Sequence, residues 1–231
     1  MEKGNRVIEA AIIALGLAVL GYCLKAGIDN FVNKDRQVTV KGLSENEVPA
    51  NTVTWPLSFS QQGNDLPTLY QSVNRTRDII VRFIKDNGLS EDEITMNSPT
   101  VYDRNSNMWN ENKSPYRYQM STGITVKTKK VDEVRKASGK IGELLNQGIA
   151  VDEGYINYDF TEFQEMKLKM MQEAIKNAEQ AALQFAENSN SHLGGIMQAT
   201  QGTFSIEDRD ETTPYIKKLR VVTTVTYSLK D

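Results

Sequence analysis

Residues 52–88, TVTWPLSFSQQGNDLPTLYQSVNRTRDIIVRFIKDNG, decide the fold because a strand pattern in them is followed directly by a helix pattern. Residues 52–60 alternate between apolar and polar side chains, which predicts a strand with one buried face. Pro56 has no backbone N–H to donate, so we expect this strand to lie at an edge or to carry a bulge. The face toward the core would present Val53, Trp55, Leu57 and Phe59.

The second half of this stretch predicts an amphipathic helix over residues 65–87. Asp65 can cap its N-terminus, and Pro67 is tolerated in a first helical turn. Asn87 and Gly88 are typical of a left-handed stop at the C-terminus. The apolar residues that recur at helical spacing are Leu69, Val73, Ile80 and Ile84.

The rest of the chain continues with short strand and helix patterns on both sides of this stretch. Residues 36–42 predict a strand that stops at Gly42, and residues 43–51 predict a polar link. Gly194 and Gly195 predict a break after the longest helix. Further strands are expected at 94–101, 116–129, 154–160, 196–206 and 219–229, and further helices at 131–146 and 161–188.

This order of elements predicts an α+β fold, a mainly antiparallel sheet with helices packed on one face, preceded by an N-terminal transmembrane helix. Three segments follow from it. Residues 1–25 form a membrane anchor or signal, residues 26–35 a connector, and residues 36–231 the folded body.

The N-terminal run from Val7 to Leu24, VIEAAIIALGLAVLGYCL, is apolar apart from one glutamate. As a helix its eighteen residues would be about 27 Å long, close to the thickness of a bilayer's hydrocarbon core. It is compatible with a cleaved signal, a lipoprotein signal or an uncleaved anchor. No Ala-x-Ala-like cleavage site follows it, and Tyr22 precedes Cys23 where lipoprotein signals carry a small residue, so we favour the anchor.

Charge and cysteine content restrict the location and the partners. A short basic N-terminus, with Lys3 and Arg6, usually stays in the cytoplasm, which places residues 26–231 outside it. The formal net charge of −3 argues against a nucleic-acid partner. Cys23 is the only cysteine, so the body has no disulfide. We therefore expect a single-pass protein of the bacterial inner membrane whose C-terminal domain lies in the periplasm.

Few residues have the pattern of a catalytic or metal site. His192 is the only histidine, no G-x-S-x-G motif is present, and a zinc site would need clustered Cys and His ligands. The acidic groups 91–93 and 207–211 lack a calcium-loop pattern, and Gly139-Lys140 lacks the first glycine of a phosphate loop. We expect no catalytic, cofactor-binding or metal-ligating residue, no cofactor and no enzymatic activity.

Two features could instead serve contacts with partners. The Asn-rich segment 103–114 should be a hairpin tip, where Met108 and Trp109 could touch a partner or a membrane, or fold back onto the sheet. The helix at 161–188 begins with Thr161 and Gln164 in a capping-box pattern. Its apolar stripe is either core or a subunit interface, and comprises Phe163, Met166, Met170, Ala174, Ala178, Ala181 and Phe185.

A series of different short motifs follows in order along the body. They begin with Val38-Thr-Val-Lys-Gly42 and Glu47-Val-Pro-Ala50. The later ones are Asn87-Gly88-Leu89, Glu93-Ile94-Thr95, residues 116–126, the alanines at 174, 178, 181 and 182, and Leu193-Gly194-Gly195-Ile196.

In this order the chain resembles the SIMPL-domain family (DUF541) over residues 36–230. It departs from it at Asn51, where members often carry Asp. The resemblance implies an exported α+β domain that tends to form homo-oligomers, and it implies no catalytic residues.

These observations lead to a first hypothesis of a non-enzymatic, membrane-anchored envelope protein that self-assembles and is linked to envelope integrity or oxidative stress. A second hypothesis is a small-molecule binder or enzyme whose site lies between sheet and helices. A third is an adaptor that captures an unknown protein partner through loop 103–114.

Overall fold

The structure is a computed structural model that describes residues 2–32, 36–106 and 114–230. The side chains of the first helix are described from Ile12 to Ile28. The chain divides into two compact units, which are described separately below. The first comprises residues 1–46, 164–205 and 220–231, and the second comprises residues 47–163 and 206–219.

The described residues contain five α-helices, one 3-10 helix (Glu91–Glu93) and nine strands, so the α+β prediction is confirmed. The helices are α1 (Glu2–Val32), α2 (Leu66–Asp86), α3 (Val131–Ser138), α4 (Gly142–Asn146) and α5 (Phe163–Asn188). The strands are β1 (Gln37–Pro49), β2 (Thr52–Gly63), β3 (Ile94–Met96), β4 (Thr100–Asp103), β5 (Tyr118–Thr128), β6 (Asp152–Glu153), β7 (Asn157–Asp159), β8 (His192–Asp208) and β9 (Ile216–Lys230).

The strands form two sheets, where the sequence predicted one. β1, β9 and β8 form a three-stranded sheet in that order. The other six strands form a second sheet around β2 and β5, in which every pair is antiparallel. Sequence periodicity identifies strands but carries no information on which of them pair, and this explains the difference.

The second unit has its core on one face of the six-stranded sheet. Val53, Trp55, Leu57 and Phe59 are buried there, as the alternation predicted. The helices α2 and α3 cover this face. Burial of apolar side chains is the dominant favourable term in folding, so these four side chains stabilise this unit.

Pro56 lies in the middle of the sheet, so the expectation of an edge strand is wrong. The alternative, a bulge, agrees with the pairing, because Trp55 and Pro56 lie opposite three residues, 154–156. β2 pairs with β5 on one side and with the short strands β6 and β7 on the other. Pro56 falls between the part of β2 that pairs with β7 and the part that pairs with β6, and its carbonyl accepts from Gly154 N at 3.1 Å. The missing N–H therefore falls at a gap in the ladder, where no strand needs it.

The helix α2 confirms the predicted caps. The Asp65 carboxylate accepts from Thr68 N at 3.0 Å, and the Thr68 side chain together with this backbone bond lowers the pKa of Asp65. Asn87 ends the helix, and Gly88 follows with a φ of 91°, a left-handed conformation that suits glycine. The caps were predictable because they depend only on neighbouring residues.

Three predicted elements of the second unit differ in extent. Residues 94–101 are split into β3 and β4 around Pro99, which cannot donate to a ladder. The helix at 131–146 is two shorter helices separated at Gly139. The strand expected at 154–160 is reduced to β7, and β6 precedes it.

Gly42, in the first unit, does not end its strand as the sequence predicted. The expected turn and polar link are absent, because β1 continues through Gly42 to Pro49. Gly42 is buried against α5, and a Cβ there would overlap the Ala174 carbonyl oxygen and lie 2.7 Å from Ala178 N. The glycine therefore allows a strand to approach a helix backbone and does not end the strand.

The long helix α5 buries a stripe with a strict four-residue spacing. Met170, Ala174, Ala178, Ala182 and Ala186 are at most 2% exposed, whereas Phe185, which was expected in the stripe, is 60% exposed. Four-residue steps follow one ridge of a helix. Ala178 and Ala182 form the core of this unit with Val40, Val225 and Tyr227.

Gly194 and Gly195 lie inside β8, so the predicted chain break is wrong. A Cβ at Gly194 would lie 3.0 Å from the Ser228 carbonyl oxygen and would overlap the Ser228 hydroxyl. Gly194 thus serves close approach of the paired strand β9.

The N-terminal run is helical within α1, from Glu2 to Val32. Large apolar side chains in this helix are exposed, including Leu15 and Leu17. Among the residues that the structure describes, no helix meets the length and apolarity needed to cross a membrane.

Candidate interaction surface

The acidic group at residues 91–93 is a local structural cluster. It forms a 3-10 turn in which Glu93 accepts from Ser90 N at 2.7 Å, from Thr128 Oγ1 at 2.5 Å and from Lys130 Nζ at 3.1 Å. Burial raises the pKa of Glu93, but these three donors outweigh burial and hold the pKa below its usual range. Its carboxylate fixes the turn to the end of β5.

The acidic group at residues 207–211 is also engaged within its own loop. Asp208 forms an ion pair with Lys217 and accepts from the Tyr155 hydroxyl at 3.1 Å. Asp210 accepts from Thr212 and Thr213, and these hydroxyls and Arg209 lower its pKa. Both carboxylates therefore hold the β8–β9 connection, as expected for charges in a turn.

The remaining candidates are not brought together. His192 is exposed at the first residue of β8, and Gly139-Lys140 lies in the connection between α3 and α4. Within residues 2–32, 36–106 and 114–230, no group of three or more His, Cys, Asp or Glu side chains could hold a metal ion. Met108 and Trp109, with most of segment 103–114, lie outside the described residues, so the loop hypothesis stays a prediction.

A partly buried polar cluster of three residues inside the second unit was not predicted. Trp55 Nε1 donates to Glu153 Oε1 at 2.8 Å, and Ser138 Oγ donates to the same oxygen at 2.6 Å. Trp55 itself is fully buried. The carboxylate satisfies the indole N–H, which otherwise would be buried without a partner. Its role is to join β2, α3 and β6.

The outer side of α5 carries apolar side chains that nothing in the first unit covers among the described residues. Leu168 is 64% exposed, and Ile175, Leu183 and Phe185 are also exposed. A surface groove of about 330 Å³ begins at Leu168 and is lined by Gln164, Glu165, Lys167, Leu168, Met171 and Gln201. Exposed apolar side chains of this size are typical of contact surfaces.

The strand β8 forms one border of this groove. Gln201 in β8 donates to Met171 Sδ in α5 at 3.4 Å. β8 is an outer strand of the three-stranded sheet, and Ile196 and Met197 in it are at least half exposed. We define the β8 edge as residues 193–205, LGGIMQATQGTFS. Its sequence signal is a run of thirteen residues without a charge.

The sheets and the covering helices define an α+β domain. The family described as SIMPL, protein of unknown function (DUF541), matches residues 38–227. The chain therefore belongs to the SIMPL family, as the sequence motifs indicated. No curated protein matches the chain.

Proposed function

We propose that this chain is a non-enzymatic envelope protein in which α1 anchors a self-assembling SIMPL domain at the periplasmic face of the bacterial inner membrane. We further propose that it supports envelope integrity or the response to oxidative stress. The observation that carries the proposal is the exposed apolar surface of α1.

Exposed apolar side chains cover more than half of the circumference of α1. Ile12, Ile13, Leu15, Leu17 and Leu20 are all 59% exposed or more. At 100° per residue these five positions span an arc of about 200°, which is wider than the apolar stripe of a helix packed on a domain and is typical of a helix embedded in lipid. The proposed span is residues 7–24, and at about 1.5 Å per residue its eighteen residues are about 27 Å long, close to the thickness of the hydrocarbon core.

Self-assembly is supported by the exposed side chains of α5. Leu168 and Phe185 are each 60% exposed or more, although both belong to the amphipathic helix that covers the core. An anchored protein is also concentrated in two dimensions, so a modest interface is sufficient to bring copies together.

The anchor is tested by membrane extraction of the full chain. We expect wild-type protein to stay with the membrane at alkaline pH, and Leu17→Arg to shift to the soluble fraction, because arginine at the centre of a span costs about 2.5–3.5 kcal/mol. The matched control is Leu145→Arg, which changes an equally exposed leucine of α4 and should remain in the membrane.

Two results would contradict the membrane anchor. One is equal extraction of the wild type and Leu17→Arg. The other is a mature N-terminus near residue 26, which would identify residues 1–25 as a cleaved signal. Protease added outside spheroplasts should degrade the domain, and protection of the domain would contradict the periplasmic location. Loss of peroxide resistance in a deletion strain is the expected phenotype.

A further inference from the structure

The β8 edge has backbone groups that no described strand pairs with. β8 is the last strand in the order β1–β9–β8, so one side of it bonds to β9 and the other side faces away. The outer strand of a sheet presents N–H and C=O groups that suit another strand. The chemistry of the edge therefore selects an extended peptide and not a helix or a small molecule.

The opposite edge of the same sheet is protected, whereas the β8 edge is not. β1 carries Lys41, Glu45 and Glu47, and charges of this kind prevent pairing between edges. Residues 193–205 carry no charge. Two edges of one sheet thus differ in the feature that proteins use to block strand addition.

The side chains of the β8 edge also suit pairing. Ile196 is 58% exposed and Met197 is 50% exposed. Successive side chains of a strand point to opposite faces of its sheet, so a paired strand would find an apolar neighbour on each face. The polar side chains that follow them, Gln198 and Thr200, are exposed and can align with like residues without repulsion.

We propose that the β8 edge of one chain pairs antiparallel, about a two-fold axis, with the β8 edge of a second copy, joining two three-stranded sheets into one of six strands. The inference rests on the proposed self-assembly and assigns its interface. The charge pattern favours a second copy, because two uncharged edges can meet about a two-fold axis without repulsion between like charges. Antiparallel pairing also keeps the acidic ends of the two strands, at Glu207, apart.

The pairing is tested with charge variants of the full chain in mild detergent. One variant carries Gln198→Lys and Thr200→Lys, and the other carries Gln198→Glu and Thr200→Glu. Each alone should weaken self-association at least tenfold, because like charges then face each other across the two-fold axis. An equimolar mixture should restore it. The matched control carries Gln37→Lys and Gln71→Lys, both at exposed positions outside the β8 edge and outside α5, and should assemble like the wild type.

Cross-linking gives an independent measurement. Cys23 is the only cysteine, so Cys23→Ser provides a cysteine-free background. Directly opposite residues of antiparallel strands have Cα atoms about 4.5–5.5 Å apart, which a disulfide can bridge. With the two-fold axis at Ala199, Gln198 of one copy lies opposite Thr200 of the other. An equimolar mixture of Gln198→Cys and Thr200→Cys in this background should therefore form a covalent dimer on oxidation, and Gln71→Cys, at an exposed position of α2, should not.

The outcomes separate this inference from the function on which it rests. If the wild type assembles but the charge variants assemble equally well and no cysteine cross-links, the β8 pairing is wrong and self-assembly stands. If each variant loses assembly but the mixture fails to restore it, the edge binds a different strand and self-pairing is overturned. A wild type that stays monomeric at high concentration overturns both proposals.

Discussion

Replacing Gly42 with alanine tests the closest approach between strand and helix in the first unit. The added Cβ would overlap the Ala174 carbonyl oxygen and lie 2.7 Å from Ala178 N. Both obstacles are backbone atoms of α5, so no side-chain rotation can relieve the overlap. The strand or the helix must move, and the alanine stripe that packs beside it would lose contact.

We expect Gly42→Ala to lower the free energy of unfolding by about 3 kcal/mol, the upper part of the usual range for overpacking. For a chain of this size the loss corresponds to a fall in Tm of about 6–12 °C. Urea and thermal unfolding of the full chain, followed by circular dichroism, would measure both quantities.

The matched control is Gly195→Ala in the same sheet. No described atom lies within 4 Å of a Cβ at Gly195, so its stability should stay within about 0.5 kcal/mol of wild type. The reasoning would be refuted if Gly42→Ala were as stable as Gly195→Ala. Such a result would mean that β1 and α5 are separated by more than the structure shows.

Two other substitutions probe the second unit. Glu93→Ala should cost about 2 kcal/mol at neutral pH, because it removes a carboxylate with three donors. Since the folded pKa of Glu93 is lowered, its contribution exists above the unfolded value of about 4.3 and disappears as pH falls through the folded value, so wild type and variant should converge in acid urea titrations. Exposed Asp92→Ala should stay near wild type, and equal losses at both positions would contradict the role of Glu93. Trp55→Ala should lower the free energy of unfolding by about 3–5 kcal/mol in the same titration, because Trp55 is fully buried. Tyr102→Ala is the control, since Tyr102 is 63% exposed. A comparable loss for Tyr102→Ala would argue against a core centred on Trp55.

The sequence alone determined the elements whose causes are local. The alternation at Val53, Trp55 and Leu57 predicted both the strand β2 and its buried face. The helix α2 was predictable at both ends, because Asp65 and Gly88 act on residues a few positions away. The order of family motifs likewise identified the SIMPL domain. Periodicity and capping need no knowledge of distant partners.

Only the tertiary structure decided which strands pair and what each glycine does. From the sequence, Gly42 was expected to end a strand and Gly194 to break the chain. Both instead lie inside strands, where another backbone comes close to them. Pro56 is in mid-sheet because its missing N–H coincides with the gap between β6 and β7. The β8 edge was visible as an uncharged run but became a surface only when the sheet order left it unpaired. These features depend on atoms far apart in the chain, and a single sequence records their residues without recording their contacts.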